Sequence, residues 1–151
     1  MSYDKDQPFE QRIKVNTAET KFEEYCASKN VKFYKYGIDN HPFGKLFYNV
    51  NKIIRNTPDY IILSKTNKSY LVEVKGCKKK LGIKLKDLES YDFWQKLSDI
   101  YFFIYSTSFN DYKVMSYGKL KNSLKGCNVK QYPDFNKYDS KLYYEKPFEE
   151  L

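Results

Sequence analysis

Short runs of apolar residues organise the middle of the chain. Five segments are rich in β-branched and aromatic residues and are bounded by turn formers, a pattern that is typical of strands. These segments comprise residues 31–36, 59–63, 70–75, 100–105 and 112–117. The run at 100–105 contains no charged residue, which indicates a strand that is buried on both faces. The pattern therefore predicts a sheet whose central part is covered on both sides.

Helical periodicity flanks these strands. The segment 16–28 places apolar residues at helical spacing, with Asn16 or Thr17 as its cap, and Asn16 stands three residues before Glu19, as in a capping box. The predicted apolar face comprises Ala18, Phe22, Tyr25 and Cys26. A second helix is predicted at 84–98, with a break in its apolar register near Ser90 that would divide it in two. The predicted order is helix, three strands, helix and strand, which indicates an α/β fold.

The ends of the chain give weaker signals. Residues 1–15 show no periodicity and are expected to form a flexible or docking arm. Residues 118–151 form a C-terminal extension, in which the pattern predicts a short helix at 119–124 and an edge strand at 141–145. The length, together with the lack of an internal repeat or a low-complexity linker, indicates a single domain over the whole chain.

Two charged residues interrupt the strand at 70–75. Side chains alternate along a strand, so Glu73 and Lys75 share one face while Val72 and Val74 share the other. Burying charged groups costs free energy unless they are paired or bind a metal. Asp59, which begins the preceding strand, is placed to supply a second carboxylate. Two carboxylates beside a lysine suit a hard cation such as Mg²⁺, which prefers oxygen ligands.

The charge of the chain narrows the choice of partner. Lys and Arg total 27 against 19 acidic residues, for a net charge of +8, and all the basic residues except Arg12 and Arg55 are lysines. A positive charge of this size favours a polyanion. Arginine is the usual reader of guanine edges, so we expect recognition of backbone and shape rather than of bases. AT-rich coding is an alternative source of the lysine excess.

Several classes of protein are excluded by composition. No apolar run approaches the roughly 18 residues that span a bilayer, and the first residues lack a secretory signal, so we expect a cytoplasmic protein without a membrane partner. Three widely spaced cysteines fit a reducing compartment better than a disulfide framework or a zinc site. The single histidine, His41, is expected in an exposed turn, which argues against histidine-dependent chemistry.

The step Pro58-Asp59 followed by Glu73-Val74-Lys75 resembles the signature of the PD-(D/E)XK nuclease superfamily. The resemblance implies an αβββαβ core like that of restriction endonucleases, with a central mixed sheet flanked by helices. It also implies that Asp59, Glu73 and the Val74 carbonyl bind Mg²⁺, with Mn²⁺ as a substitute. Lys75 would orient or polarise the attacking water. These residues would together hydrolyse phosphodiester bonds.

Further residues are candidates for the same site. Many members of the superfamily add a glutamate on the first helix, for which Glu19 is our first choice and Glu23 the second; an acidic residue favoured by the helix dipole is an equal alternative. The candidates for binding nucleic acid are Lys78, Lys79, Lys80, Lys52 and Arg55. A solvated charged loop is the alternative interpretation of the lysine run.

The resemblance leads to a specific functional hypothesis. We expect a magnesium-dependent DNA endonuclease, selective for DNA structure in the manner of a Holliday-junction resolvase rather than for sequence. Small members of the superfamily include phage and archaeal resolvases, and several act as dimers, so a phage origin and a homodimer are both compatible. The alternatives are a catalytically inactive nucleic-acid-binding or assembly protein on the same fold, and a basic domain with an accidental motif that binds RNA or a protein.

Overall fold

The computed structural model describes residues 9–38, 50–131 and 142–151, and side chains from residue 17 onward. The helices are α1 (Phe9–Ser28), α2 (Lys52–Arg55), α3 (Leu85–Leu97) and α4 (Tyr117–Ser123). The strands are β1 (Lys32–Lys35), β2 (Tyr60–Leu63), β3 (Ser69–Cys77), β4 (Lys80–Lys84), β5 (Ile100–Ser106), β6 (Asp111–Ser116), β7 (Val129–Gln131) and β8 (Leu142–Pro147). A 3₁₀ turn at Phe148–Glu150 follows the last strand.

The central sheet has five strands in the order β1-β2-β3-β5-β6. Strands β3 and β5 are parallel, and the other neighbouring pairs are antiparallel. Strand β5 is buried on both faces, because its apolar side chains contribute alternately to the two cores. The predicted α/β class, with a central mixed sheet flanked by helices, is confirmed. The predicted element order is also present, with the short helix α2 and strand β4 inserted into it.

Two hydrophobic cores cover the two faces of this sheet. One core joins α1 to the sheet and includes Ala18, Phe22, Cys26, Val72, Val74 and Phe103. The other core joins the opposite face to α3, α4 and strand β4, and includes Leu71, Cys77, Leu81, Ile83, Tyr91, Phe102 and Leu120. Strand β3 therefore sends alternate side chains into the two cores, as the period of two predicts. The face of β3 that carries Glu73 and Lys75 is the face covered by α3.

The C-terminal segment folds back onto the α3 side of the molecule. Strands β4, β8 and β7 form a second, antiparallel sheet in which β8 lies in the middle. The Phe148 amide donates to the Lys79 carbonyl at 2.9 Å, and the Lys113 ammonium donates to the carbonyls of Phe148 and Leu151 at 2.8 and 3.1 Å. The strand predicted at 141–145 is present as β8, but it is the middle strand of this sheet and not an edge strand.

Helix α1 begins earlier than predicted. It starts at Phe9, so Asn16 lies inside the helix and the predicted capping box at Asn16 is wrong. The second half of the expected N-terminal arm is thus helical, whereas residues 1–8 and His41 lie outside the described residues. The break in register near Ser90 does not divide α3, which runs unbroken to Leu97. None of the helices in the described ranges combines the length and apolar character that crossing a bilayer requires.

Candidate active site

The head of strand β2 brings a carboxylate against strand β3. Asp59 stands one residue before β2, and the register pairs Tyr60 with Val72, so Asp59 lies beside the part of β3 that contains Glu73. The Asp59 Oδ2 atom accepts a hydrogen bond of 2.8 Å from the Val74 amide. Val74 lies between Glu73 and Lys75 in β3, so this bond holds the Asp59 carboxylate close to both residues. The three residues of the sequence signature therefore lie together in space.

Glu73 and Lys75 form a partly buried ion pair. The Lys75 Nζ atom lies 3.4 Å from the Glu73 Oε1 atom, and the two side chains are 27% and 11% exposed respectively. The Lys75 ammonium also lies 5.9 Å from the centre of the Tyr91 ring on α3, within the range of a cation–π contact. Removal of two charges from water is costly, and the pairing offsets part of that cost. A cluster of this kind in an otherwise apolar strand is more typical of a functional site than of a stabilising device.

The surroundings of Lys75 keep it charged. Burial lowers the pKa of Lys75, but Tyr91 and the carboxylates of Glu73, Asp87 and Asp59 outweigh burial and hold this pKa well above its usual range. Burial also raises the pKa of the Tyr91 phenol well above its usual value, and Glu73 adds to that effect. At neutral pH the site therefore contains a protonated lysine beside a neutral phenol. A lysine that stays protonated can act as a fixed positive charge but not as a base.

Helix α3 contributes two residues that the sequence did not single out as parts of the site. Asp87 and Tyr91 are one turn apart on α3, so they share a face, and both act on the pKa of Lys75. The Asn56 side-chain amide reaches the hydroxyl of the buried Ser90 at 3.1 Å and Asp87 Oδ1 at 3.4 Å, which ties this face to the end of α2. The break in apolar register near Ser90 was the available signal, because it marks where the helix faces polar groups.

Glu19 and Glu23 of α1 approach the same end of the sheet from the opposite face. Burial raises the pKa of the Tyr60 hydroxyl above its usual range, and Glu19, Glu23 and Asp59 raise it further. Glu19 and Glu23 are therefore close enough to Tyr60, the residue that follows Asp59, to influence its hydroxyl electrostatically. The structure does not choose between Glu19 and Glu23, so the identity of a helical acid in the site stays a prediction.

The candidate basic residues border the site, and two of them, Lys80 and Lys52, lie beside acidic side chains. Lys78, Lys79 and Lys80 are exposed beyond the end of β3 at which Lys75 lies. The three lysines were expected in one loop, but Lys80 is the first residue of β4. Its Nζ atom lies 3.7 Å from the Glu145 Oε1 atom. On α2, the Lys52 ammonium lies 2.8 Å from Glu89 Oε2, so a phosphate would compete with that carboxylate for it.

Among the described residues, no group of three or more His, Cys, Asp or Glu side chains is arranged to hold a metal ion. The two carboxylates Asp59 and Glu73 and the carbonyl of Val74 are the candidate donors. The amide and carbonyl of one strand residue point to the same side. Because the Val74 amide points to Asp59, the Val74 carbonyl lies on that side as well.

The comparisons with known proteins bear on the fold. No family of proteins and no curated protein matches the sequence. Among solved structures, the chain is similar to one described as D212, a nuclease from a fusselovirus. The TM-score is 0.50 with 12% sequence identity, and the match covers 93% of this chain and 83% of the other. At this identity the similarity shows a shared fold, namely the mixed α/β fold of a viral nuclease.

Proposed function

We propose that the protein is a metal-dependent nuclease of the PD-(D/E)XK type that hydrolyses phosphodiester bonds in DNA. The observation that carries the proposal is the convergence of Asp59, Glu73 and Lys75 at one end of β3, with the Lys75 ammonium 3.4 Å from Glu73. The similarity of the fold to that of a viral nuclease supports the same conclusion. The coincidence of this cluster with a nuclease-like fold favours an enzyme over an accidental motif.

The donor groups present fit a magnesium or manganese ion. Mg²⁺ is commonly bound by one or two carboxylates and keeps water or phosphate oxygens as its remaining ligands. Asp59, Glu73 and the Val74 carbonyl would supply the protein's share, so a third acidic side chain is not required. When bound, the ion would offset negative charge on the phosphate and lower the pKa of a water molecule.

The protein's own residues would position the reactants. The bond between Asp59 and the Val74 amide fixes one carboxylate, and the pair with Lys75 orients the other. Lys75 would donate hydrogen bonds to the attacking water or to a phosphate oxygen and stabilise the charge that develops in the transition state. A water oxygen would form the new bond to phosphorus and release a proton to solvent. The bond from phosphorus to the leaving oxygen would break, and the leaving oxygen would take up a proton from solvent.

The charge distribution supports recognition of the phosphate backbone. The chain carries a net charge of +8, and exposed lysines at 78–80 follow the strand that bears the site. Lysine binds phosphate as a point charge and reads base edges less well than arginine. We therefore propose selectivity for DNA structure, such as a branched junction, rather than for sequence.

A cleavage assay with controlled metal tests the proposal. A supercoiled plasmid and a synthetic four-way junction are incubated with protein in Mg²⁺, Mn²⁺, Ca²⁺ or excess EDTA. We expect cleavage with Mg²⁺ and Mn²⁺, binding with little turnover in Ca²⁺, and no cleavage in EDTA. Full activity in EDTA would reject the metal mechanism. Binding of DNA without cleavage in any metal would favour the alternative of an inactive nucleic-acid-binding protein.

A further inference from the structure

Four aromatic residues form a partly exposed group on the α3 side of the sheet. Tyr34 lies on β1, and Tyr36 lies one residue beyond its end, where its amide continues the pairing with the Asp59 carbonyl, so the two side chains share a face. The Tyr36 ring lies 6.0 Å from the Trp94 ring on α3, and Phe93 lies 5.7 Å from Trp94. Tyr34, Tyr36 and Phe93 are 55%, 39% and 41% exposed. We call these four residues the aromatic platform.

The aromatic platform adjoins the candidate active site on two sides. The amides of Tyr36 and Gly37 both donate to the Asp59 carbonyl, at 2.8 and 3.2 Å. A β-carbon at Gly37 would come within 3.3 Å of Asp59 Cα and 3.5 Å of Asp59 Oδ1, so the chain passes directly over this carboxylate. On α3, Trp94 follows Tyr91 by three residues and therefore lies on the same face as the ring that contacts Lys75.

Tyr34, Tyr36 and Phe93 are partly exposed, whereas Trp94 packs against the core on the α3 side of the sheet. The Trp94 indole donates to the Ile53 carbonyl of α2 at 3.0 Å, which fixes the orientation of the ring. Both Tyr36 and Phe93 meet Trp94 at 84°, edge to face. The exposed fractions of Tyr36 and Phe93 show that part of each ring is accessible to another partner. Grouped exposed aromatic residues beside a polar site are typical of a binding surface.

We infer that the aromatic platform stacks unpaired bases of a nucleic acid strand whose phosphate lies at Asp59 and Lys75. The inference rests on the proposed function, because that function places a phosphodiester at the neighbouring carboxylates. Every base has a flat face that stacks on aromatic side chains, and a basic protein attracts the backbone that carries the bases. The substrate class is therefore DNA with an unpaired segment next to the bond that is cut, as at a flap, a bubble or an opened junction.

The single tryptophan provides a direct test that does not need cleavage. Trp94 fluorescence is titrated in Ca²⁺, in which we expect binding with little turnover, with oligo(dT), with oligo(rU), and with a blunt hairpin duplex that offers no unpaired strand. We expect quenching and tight binding with a single strand, and weaker binding without quenching for the duplex. The comparison of oligo(dT) with oligo(rU) tells whether the strand bound is DNA or RNA. Unchanged Trp94 fluorescence on saturation with both single strands would overturn the inference.

A matched pair of variants separates stacking from general damage. Tyr36→Leu removes one ring of the platform, whereas Tyr112→Leu removes a ring of 43% exposure that stacks on Phe103 at the opposite edge of the sheet. Tyr36→Leu should weaken single-strand binding by about 5- to 100-fold, the range expected for a lost stacking contact. Tyr112→Leu should leave binding within about twofold. Melting temperatures of both variants show whether either has lost its fold.

The outcomes distinguish this inference from the proposed function. If the protein cuts DNA but Tyr36→Leu binds single strands as well as the wild type does, the platform inference fails and the nuclease proposal stands. If the protein cuts nothing but Tyr36→Leu still loses single-strand binding, the nuclease proposal fails and the platform stands. A dimer in solution that Tyr36→Leu dissociates would identify a second copy as the occupant and overturn the inference.

Discussion

Replacement of Asp59 separates its two roles in the structure. Its Oδ2 atom accepts the Val74 amide at 2.8 Å, so the side chain joins the head of β2 to β3 as well as offering a carboxylate. A hydrogen bond to a charged group contributes about 1.5–3 kcal/mol. Asp59→Ala should therefore lower the free energy of unfolding by about that amount. At about 2–4 °C per kcal/mol for a chain of this size, the melting temperature should fall by roughly 3–12 °C.

Asp59→Asn preserves the acceptor and removes only the charge. It should melt close to the wild type, whereas both substitutions should reduce cleavage by about 100-fold or more, since the ligand charge is lost in each. The assay combines thermal unfolding with single-turnover cleavage of a labelled junction. Asp111→Ala is a matched control, because its carboxylate also accepts a backbone amide at 2.8 Å but lies on β6, at the far edge of the sheet. Wild-type cleavage by Asp59→Asn would refute the assignment of Asp59 to the site.

The remaining predictions concern the neighbours of this carboxylate. Lys75→Met removes the ammonium that lies 3.4 Å from the partly buried Glu73 and should destabilise the fold by about 3 kcal/mol, as measured by denaturant unfolding. Glu73→Gln in the same chain should restore part of the loss. The pKa of Lys75 is raised in the folded protein, so the stability contributed by its ion pair with Glu73 should be complete below the unfolded pKa of about 10.4 and should be lost as pH rises through the raised pKa. Replacing Lys78 and Lys79 together by alanine should weaken DNA binding and lower the salt slope by about 0.9 for each lost phosphate contact, and an unchanged slope would assign both to a solvated surface. Of the three cysteines, only Cys127 is not buried, so a thiol reagent should label one equivalent rapidly in the native protein.

The sequence predicted the strands that are defined by strong apolar runs. Strand β5 was recognised because both of its faces are buried, and β3 was recognised despite Glu73 and Lys75 because apolar residues surround them. Strand β4 was missed, since its alternating buried residues, Leu81 and Ile83, directly follow a lysine run that indicates a loop. A pattern of only two buried positions is too short to outweigh that local signal.

The sequence predicted only those parts of the site that lie on neighbouring strands. The signature residues lie on two adjacent strands, so their proximity follows from the pairing of β2 with β3. The contributions of Asp87 and Tyr91 depend on how α3 packs across the sheet, which no short motif encodes. The start of α1 was misplaced because Asn16 has the residue type and spacing of a helix cap but lies inside a helix that begins at Phe9.

Glu73 is the residue on which the catalytic proposal depends most, and a pair of matched variants tests its role. Single-turnover cleavage of a junction in Mg²⁺ is measured for Glu73→Gln and for Glu24→Gln. Glu24 also pairs with a lysine, with its Oε2 atom 3.5 Å from Lys21 Nζ, but it lies exposed on α1. We expect a loss of about 100-fold or more for Glu73→Gln, the scale expected for a group that acts on the transition state, and a rate within about twofold of the wild type for Glu24→Gln. Near-normal cleavage by Glu73→Gln, in protein that is shown to be folded, would contradict the assignment of Glu73 to a catalytic site.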